Sequence, residues 1–195
     1  MVIVFTAPSQ KRAIQSHAEQ VFPEECCGLL LGLHQPANGS QSQTRQGHDF
    51  QDHDSQDHGF QDHNFQNTVM AVVSAENVWS QPPLRQDSQQ PHAGTDRRYA
   101  ISAIAMVEAQ QYARSKGWDI IGIYHSHPNH EAVPSEWDRA WAWPQYSYVI
   151  VSVKDGTAQD LRSWMLDINH KFLPEKLVIS GATDPQVTPN FEDTP

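Results

Sequence analysis

The chain has 195 residues, 38% of them hydrophobic, with a formal net charge of -10 and a sequence pI of about 5.4. That length suits one domain, and the acidic balance excludes nucleic-acid binding driven by electrostatics. No apolar stretch approaches the roughly 20 residues needed to cross a bilayer, so no membrane partner is expected, and the opening run Met1-Val2-Ile3-Val4-Phe5 is too short for a secretory leader.

Ala13, Ile14, Ala18, Val21 and Phe22 recur at helical spacing and predict a helix from about Ser9 to Phe22, ending near Pro23. A strand from Cys26 to Leu33 follows. Its two cysteines have no basic neighbour and read as buried packing, neither a disulfide nor a reactive thiol; a chain without disulfides fits a reducing cytoplasm. From Gln35 to Asn67 aliphatic residues almost vanish, and the pentapeptide His-x-(Phe/Ser)-Gln-(Asp/Asn) starts at His48, His53, His58 and His63. Polar repeats with no apolar face bury too little surface to offset ordering entropy, so residues 35–67 read as a low-complexity insertion forming a mobile surface loop. A spacing of five scatters the four histidines over different helix faces or alternate strand faces, and no regular element gathers them on a metal.

Beyond the insertion, Val69 to Trp79 reads as a strand, and Ser80 to Arg98 as a Gln-, Pro- and Asp-rich connection bordering a substrate cleft. A second long helix spans Ile101 to Lys116 and stops at Gly117. The β-branched run from Asp119 to His125 is a buried strand, followed by a short helix from Ser135 to Trp143 closed by Pro144. Strand Tyr146 to Val153, a hairpin turn at Lys154-Asp155-Gly156 and a partner strand from Asp160 to Asp167 complete the pattern. Gly181 to Pro195 reads as a disordered tail. The sum is an α/β sandwich, a central mixed sheet flanked by helices, as one domain over residues 1–180.

His125-Ser126-His127 carries the chemistry. Side chains two apart on a strand share a face, so both imidazoles can meet one ion while Ser126 points away; Pro128 then hinders continuation of a central strand. Seven residues on, Ser135-Glu136-Trp137-Asp138 opens a helix with Ser135 as N-cap, and Asp138 is the best third ligand. Two His and one carboxylate describe an open, catalytic zinc site rather than a closed structural one. Water activated there needs a base, and Glu24-Glu25 lies directly before the Leu-rich strand, where one carboxylate could reach inward. Singly, these groups are ordinary capping residues, an exposed His turn and solvated acids; their conjunction at fixed spacing points to a site. Trp137, Trp141 and Trp143 read as core aromatics, with a substrate groove as the other option.

Together, Glu25-x-Cys27-Gly28-Leu29-Leu30-Leu31-Gly32 and His-x-His-(x)7-Ser-x-x-Asp resemble the JAMM motif of the MPN-domain metalloproteases, over about Ile3 to Ile168 apart from the insertion. The resemblance implies the MPN, cytidine-deaminase-like α/β fold, one zinc held by His125, His127 and Asp138, Glu25 rather than Glu24 as the base, and Ser135 as a donor to the water or the oxyanion. It further implies a peptidase or isopeptidase cutting an amide bond after the Gly-Gly tail of a ubiquitin-like or sulfur-carrier protein. A non-catalytic MPN scaffold is the alternative, though such members usually lack the ligands present here. A zinc nucleoside deaminase would need His-x-Glu and Pro-Cys-x-x-Cys, which are absent. Oligomeric state, a homodimer included, stays open.

Overall fold

The computed structural model describes residues 1–36, 65–79 and 94–181. In chain order these form β1 (Val2–Phe5), α1 (Pro8–Val21), β2 (Cys27–Pro36), β3 (Phe65–Ala75), α2 (Ala103–Ser115), β4 (Asp119–Pro128), α3 (Glu136–Trp141), β5 (Ser147–Lys154), β6 (Thr157–Leu166) and β7 (Phe172–Ile179). The strands follow the spatial order β1-β3-β2-β4-β5-β6-β7, and β1 also pairs with β7, so the sheet closes on itself. It is mixed: β1 runs parallel to both its neighbours and β4 parallel to β5, while the remaining pairs are antiparallel.

Alternation along β2 shows how the layers form. Leu30 packs with Ile14 and Ala18 of α1, whereas Leu29 and Leu31 pack with Ala109 and Ala113 of α2. Successive strand residues face opposite sides, so one apolar run serves two helices and the sheet lies between them. Gly28 is required by this packing, because a Cβ there would stand 2.3 Å from both the Tyr124 ring and the Val73 carbonyl.

Local chemistry sets the helix ends. Pro8 at the first turn of α1 needs no N–H partner, and the Ala7 N–H before it donates to Gln10 Oε1 at 3.3 Å, so this helix starts one residue earlier than expected. Ser102 caps α2 by accepting the Ala105 N–H at 3.1 Å, and Gly117, at φ 72°, ends it in the left-handed conformation. Asp155 and Gly156 both have positive φ, the signature of a two-residue hairpin turn, between the paired residues Lys154 and Thr157.

The margins of the expected insertion need correction. Gln35 pairs with Gln66 and Pro36 with Phe65, so the ladder between β2 and β3 carries strand structure into positions 35–36 and 65–67. Residues 37–64, with most of the histidine repeat, lie outside the described residues, as do 80–93 of the connection and 182–195 of the tail. Two strands, β1 and β7, go beyond the sequence reading. The first is only four residues long, and the second carries Pro174 and two charged residues, which mask a strand pattern. Among the described residues no helix is long and apolar enough to cross a membrane.

Candidate metal and catalytic site

Strand β4 continues past the expected end at His125 to Pro128. Its partner β2 stops at Cys27, opposite His125, whereas β5 accompanies it to the end, with Val151, Ser152 and Val153 beside Ser126, His127 and Pro128. The Ser126 N–H still donates to the Cys26 carbonyl at 3.1 Å, and beyond it the edge towards β2 is unpaired, so a proline there costs no ladder hydrogen bond. His125 and His127 project from the same face, their Nε2 atoms 3.1 Å apart, and Ser126 faces away to accept the Cys26 N–H at 2.8 Å.

Asp138 arrives through the capping of α3. Ser135 Oγ accepts the Asp138 N–H at 3.2 Å, and Asp138 Oδ2 in turn accepts the Ser135 N–H at 2.6 Å and hydroxyl at 2.7 Å. This reciprocal cap fixes the carboxylate with Oδ1 3.3 Å from His125 Nε2 and Oδ2 3.5 Å from His127 Nε2. Helix α3 ends at Trp141, short of the expected Trp143. The Trp143 N–H donates to the Tyr148 hydroxyl at 2.6 Å instead of to a helical carbonyl, and Pro144 biases its predecessor towards extended backbone.

Three ligating atoms, one from each side chain, lie within 4.8 Å of one another. Ligands about 2.0–2.1 Å from a tetrahedral zinc stand roughly 3.3 Å apart, so the observed 3.1–3.5 Å separations fit such an ion. The surroundings fit too. His127 Nδ1 donates to the Glu131 carbonyl at 2.9 Å, which leaves the Nε2 lone pair aimed into the cluster. Tyr99 stacks on the fully buried His125 ring at 4.5 Å, and His125 Nδ1 has no hydrogen-bond partner among the described residues.

Electrostatics separates the members. Burial lowers the His125 pKa despite Asp138, which favours the neutral imidazole that ligation needs. For His127 burial works in the same direction, but the Asp138 hydrogen bond and charge outweigh it and raise the pKa. Asp138 is also desolvated, yet the two imidazoles and Ser135 hold its carboxyl well below the usual range.

The two acids before β2 part company. Glu24 is exposed, and Glu25 is buried with its charge felt by His127 and Asp138. Burial pushes the Glu25 carboxyl up to about 8, with His127 and Arg98 acting against the rise. Its backbone is pinned, the N–H to the Thr95 carbonyl at 2.8 Å and the carbonyl to Asn77 Nδ2 at 3.0 Å. Cys26 and Cys27 are free and buried, burial raising the Cys26 thiol to about 12 and Cys27 well above its ordinary value, so neither is a nucleophile.

Sequence reasoning missed Asn77 and Tyr99. Besides holding Glu25, Asn77 donates to the Arg98 carbonyl at 2.9 Å and accepts the Ala100 N–H at 3.1 Å, so one side chain ties the Glu25 segment to the strand of chain carrying Tyr99. Neither residue has a fixed spacing from the motif that would have singled it out. The tryptophans also depart from expectation: Trp141 is 42% and Trp143 55% exposed, and with Trp137 they line a cavity that reaches Asp138 rather than joining the core.

Comparison with known proteins places these observations in context. Residues 8–167 match the family described as prokaryotic homologs of the JAB domain. A desampylase from Haloferax volcanii is 35% identical over 86 residues, 44% of this chain and 52% of that protein, so the match spans about half of the relative. A solution structure of a protein from Salinibacter ruber superposes with a TM-score of 0.56 at 29% identity, covering 95% of each chain. Another, from Desulfitobacterium hafniense, gives a TM-score of 0.61 at 22% identity over 93% of this chain and 94% of that one, a likeness of fold.

Proposed function

The chain belongs to the prokaryotic homologues of the JAB domain, and from that membership we propose that it is a zinc metallopeptidase of the JAMM type. Its substrate is an amide bond at the C-terminus of a ubiquitin-like or sulfur-carrier protein ending in Gly-Gly. The observation that carries this reading is the convergence of His125 Nε2, His127 Nε2 and an Asp138 oxygen, with buried Glu25 close enough for its charge to couple to His127 and Asp138. Three protein ligands leave a tetrahedral ion open to solvent and substrate, which is the catalytic rather than the structural pattern. A scaffold role has no need of such a set, and the partial likeness to a protein named desampylase supports hydrolysis.

In the proposed mechanism His125, His127 and Asp138 hold the ion. A zinc ion held there would supply Lewis-acid polarisation of a carbonyl and would lower the pKa of water towards neutrality. Glu25 accepts the proton of the attacking water as the C–O bond forms, then hands it to the leaving nitrogen as the tetrahedral intermediate collapses and the C–N bond breaks, giving a carboxylic acid and an amine. Ser135 is a neutral donor in direct contact with the Asp138 carboxylate. Its hydroxyl now holds Asp138 and in the reaction donates to the oxygen of the tetrahedral intermediate. A Gly-Gly tail suits this site because it lets extended backbone approach closely. Two free buried cysteines are consistent with a cytoplasmic setting.

The test is to incubate zinc-loaded protein with ubiquitin-like and sulfur-carrier proteins bearing C-terminal extensions, following mass and metal content. Cleavage after Gly-Gly with one zinc per chain is expected; intact substrates with a zinc-free preparation that cannot be loaded would overturn the assignment.

A further inference from the structure

Beside the metal-capable trio lies a cavity of about 260 Å³ whose lining includes Trp79, Tyr99, Ala100, Trp137, Trp141 and Asp138. It is several times the roughly 30 Å³ share of a water molecule, and it touches the proposed reaction centre through Asp138. We propose that this cavity is the subsite for the side chain immediately following the scissile bond, and that it selects a large apolar or aromatic residue there. The inference rests on the hydrolase reading and names the substrate feature that reading leaves open.

A Gly-Gly tail has no side chains, so it cannot fill a cavity adjoining the cleaved bond. The residue before the two glycines is too far back, because extended chain advances about 3.3 Å per residue. The occupant therefore comes from the leaving side. The walls define its chemistry. Trp137 packs edge-on against Trp79 at 5.1 Å and tilted against Trp141 at 5.4 Å, and the Arg98 guanidinium lies 4.6 Å above the Trp137 ring. These contacts hold rigid aromatic surfaces in place before substrate arrives, so little entropy is lost in forming the subsite. Among the described residues Asp138 is the one charged residue on the lining, and it is already engaged by two imidazoles and Ser135. A charged side chain entering would be stripped of water with no unengaged charge among the described lining residues to meet it, the Arg98 guanidinium lying over the Trp137 ring and not on the lining. Trp141 and Trp143 meanwhile leave large apolar surface in solvent at the rim, which an apolar occupant would cover.

The experiment uses blocked peptides ending Gly-Gly-X-Ala, with X as Phe, Leu, Ala or Glu, together with a Gly-Gly tail joined to a lysine side-chain amine. Affinity is measured by fluorescence anisotropy on zinc-loaded Glu25→Gln protein, and kcat/KM by mass spectrometry on zinc-loaded wild type. Phe and Leu are expected to bind at least about tenfold more tightly than Ala, with Glu weakest. Ala100→Phe, which fills the cavity, and Trp141→Ala, which removes one wall, should each bring the Phe-to-Ala ratio towards one. That ratio is internal to each variant and is independent of the amount of folded protein. Equal affinity for Phe and Ala, or a preference for Glu or for the lysine-linked tail, overturns the subsite. Cleavage of every peptide at one rate with flat binding removes the subsite and keeps the hydrolase. Discrimination in binding with no cleavage of any peptide keeps the subsite and removes the hydrolase.

Discussion

Two polar clusters occupy opposite ends of the same sheet, the second with exposed His34 at its margin, and they use similar ingredients differently. At the start of β2, His125, His127 and Asp138 aim their free lone pairs at one point, with Glu25 beside them. Near the other end, the His34 ring hydrogen-bonds Asn67 Oδ1 at 2.6 Å, Asn67 Nδ2 donates to Ser147 Oγ at 2.8 Å, and the Ser163 hydroxyl donates to Glu175 Oε2 at 2.7 Å. The Ser147 hydroxyl also interacts with Glu175, which links these bonds into one network. Donors and acceptors alternate along these bonds, and of the groups in them only Glu175 Oε1 is buried without a partner among the described residues, so the groups pair with one another instead of converging on one point. Imidazoles and carboxyls alone do not make a metal site; convergence of their lone pairs does.

The largest expected effect breaks the first cluster. His127→Ala should lose both zinc and turnover, whereas Glu25→Gln should keep zinc and lose on the order of 10²- to 10⁴-fold in kcat, checked by elemental analysis beside a cleavage assay. Unchanged turnover in Glu25→Gln would remove its role as base. In the second cluster Glu175→Gln should leave zinc stoichiometry alone and change the pH dependence of stability. Burial pushes the Glu175 carboxyl from 4.5 up to about 7, with Ser163, Ser147 and the N-terminal charge acting against the rise. Between those values the folded chain keeps a proton that the unfolded chain has released. The associated stability is therefore fully present below about pH 4.5 and is lost as pH rises through about 7. At about 1.4 kcal/mol per pH decade, the gap between 4.5 and about 7 corresponds to roughly 3 kcal/mol. Urea titrations from pH 4.5 to 8 should show a decline in the parent that is shallower in Glu175→Gln, and identical slopes would refute the account.

The same contrast explains what could be read in the sequence. The first cluster was legible because two of its members alternate on one strand and the third sits in a helix cap, so local geometry alone fixes their spacing. By residue type Glu25 was only one of two acids; its place two residues before Cys27-Gly28 in the JAMM-like motif selected it over Glu24, and burial separates the two in the fold. The second cluster draws single residues from β2, β3, β5, β6 and β7. Asn67 and His34 meet because the hairpin pairs them, and nothing in the polar repeat announces that pairing. The helices and central strands followed from periodicity, whereas β1 and β7 owe their strand state to each other and to their outer neighbours β3 and β6. Tertiary pairing of that kind leaves little local signal.

A smaller effect tests how firmly the first cluster is braced. Asn77→Ala removes the hydrogen bonds to the Glu25 and Arg98 carbonyls and the acceptor for the Ala100 N–H. A cost of about 1–3 kcal/mol in stability is expected. If this brace positions Glu25, kcat should fall while zinc content holds; an unchanged kcat in a folded, zinc-loaded variant would limit Asn77 to a structural role.

The smallest expected effect comes from deleting residues 37–64 and joining Pro36 to Phe65 through a short turn. Ten residues of β2 at about 3.3 Å each place Pro36 roughly 30 Å along the strand from Cys27, which pairs with His125. All five residues proposed for metal binding and catalysis lie outside the deleted stretch, and the β2–β3 ladder that the deletion must close is already paired up to Pro36 and Phe65. Loop-closure entropy changes only slowly with loop length, so shortening the connection should alter stability little. Zinc stoichiometry should be unchanged and kcat/KM should stay within about twofold of the parent, since none of the five proposed site residues is deleted. A folded, zinc-loaded deletion variant that had lost turnover would show that the histidine repeat acts on the substrate, and the separation between the two ends of the sheet would no longer hold for function.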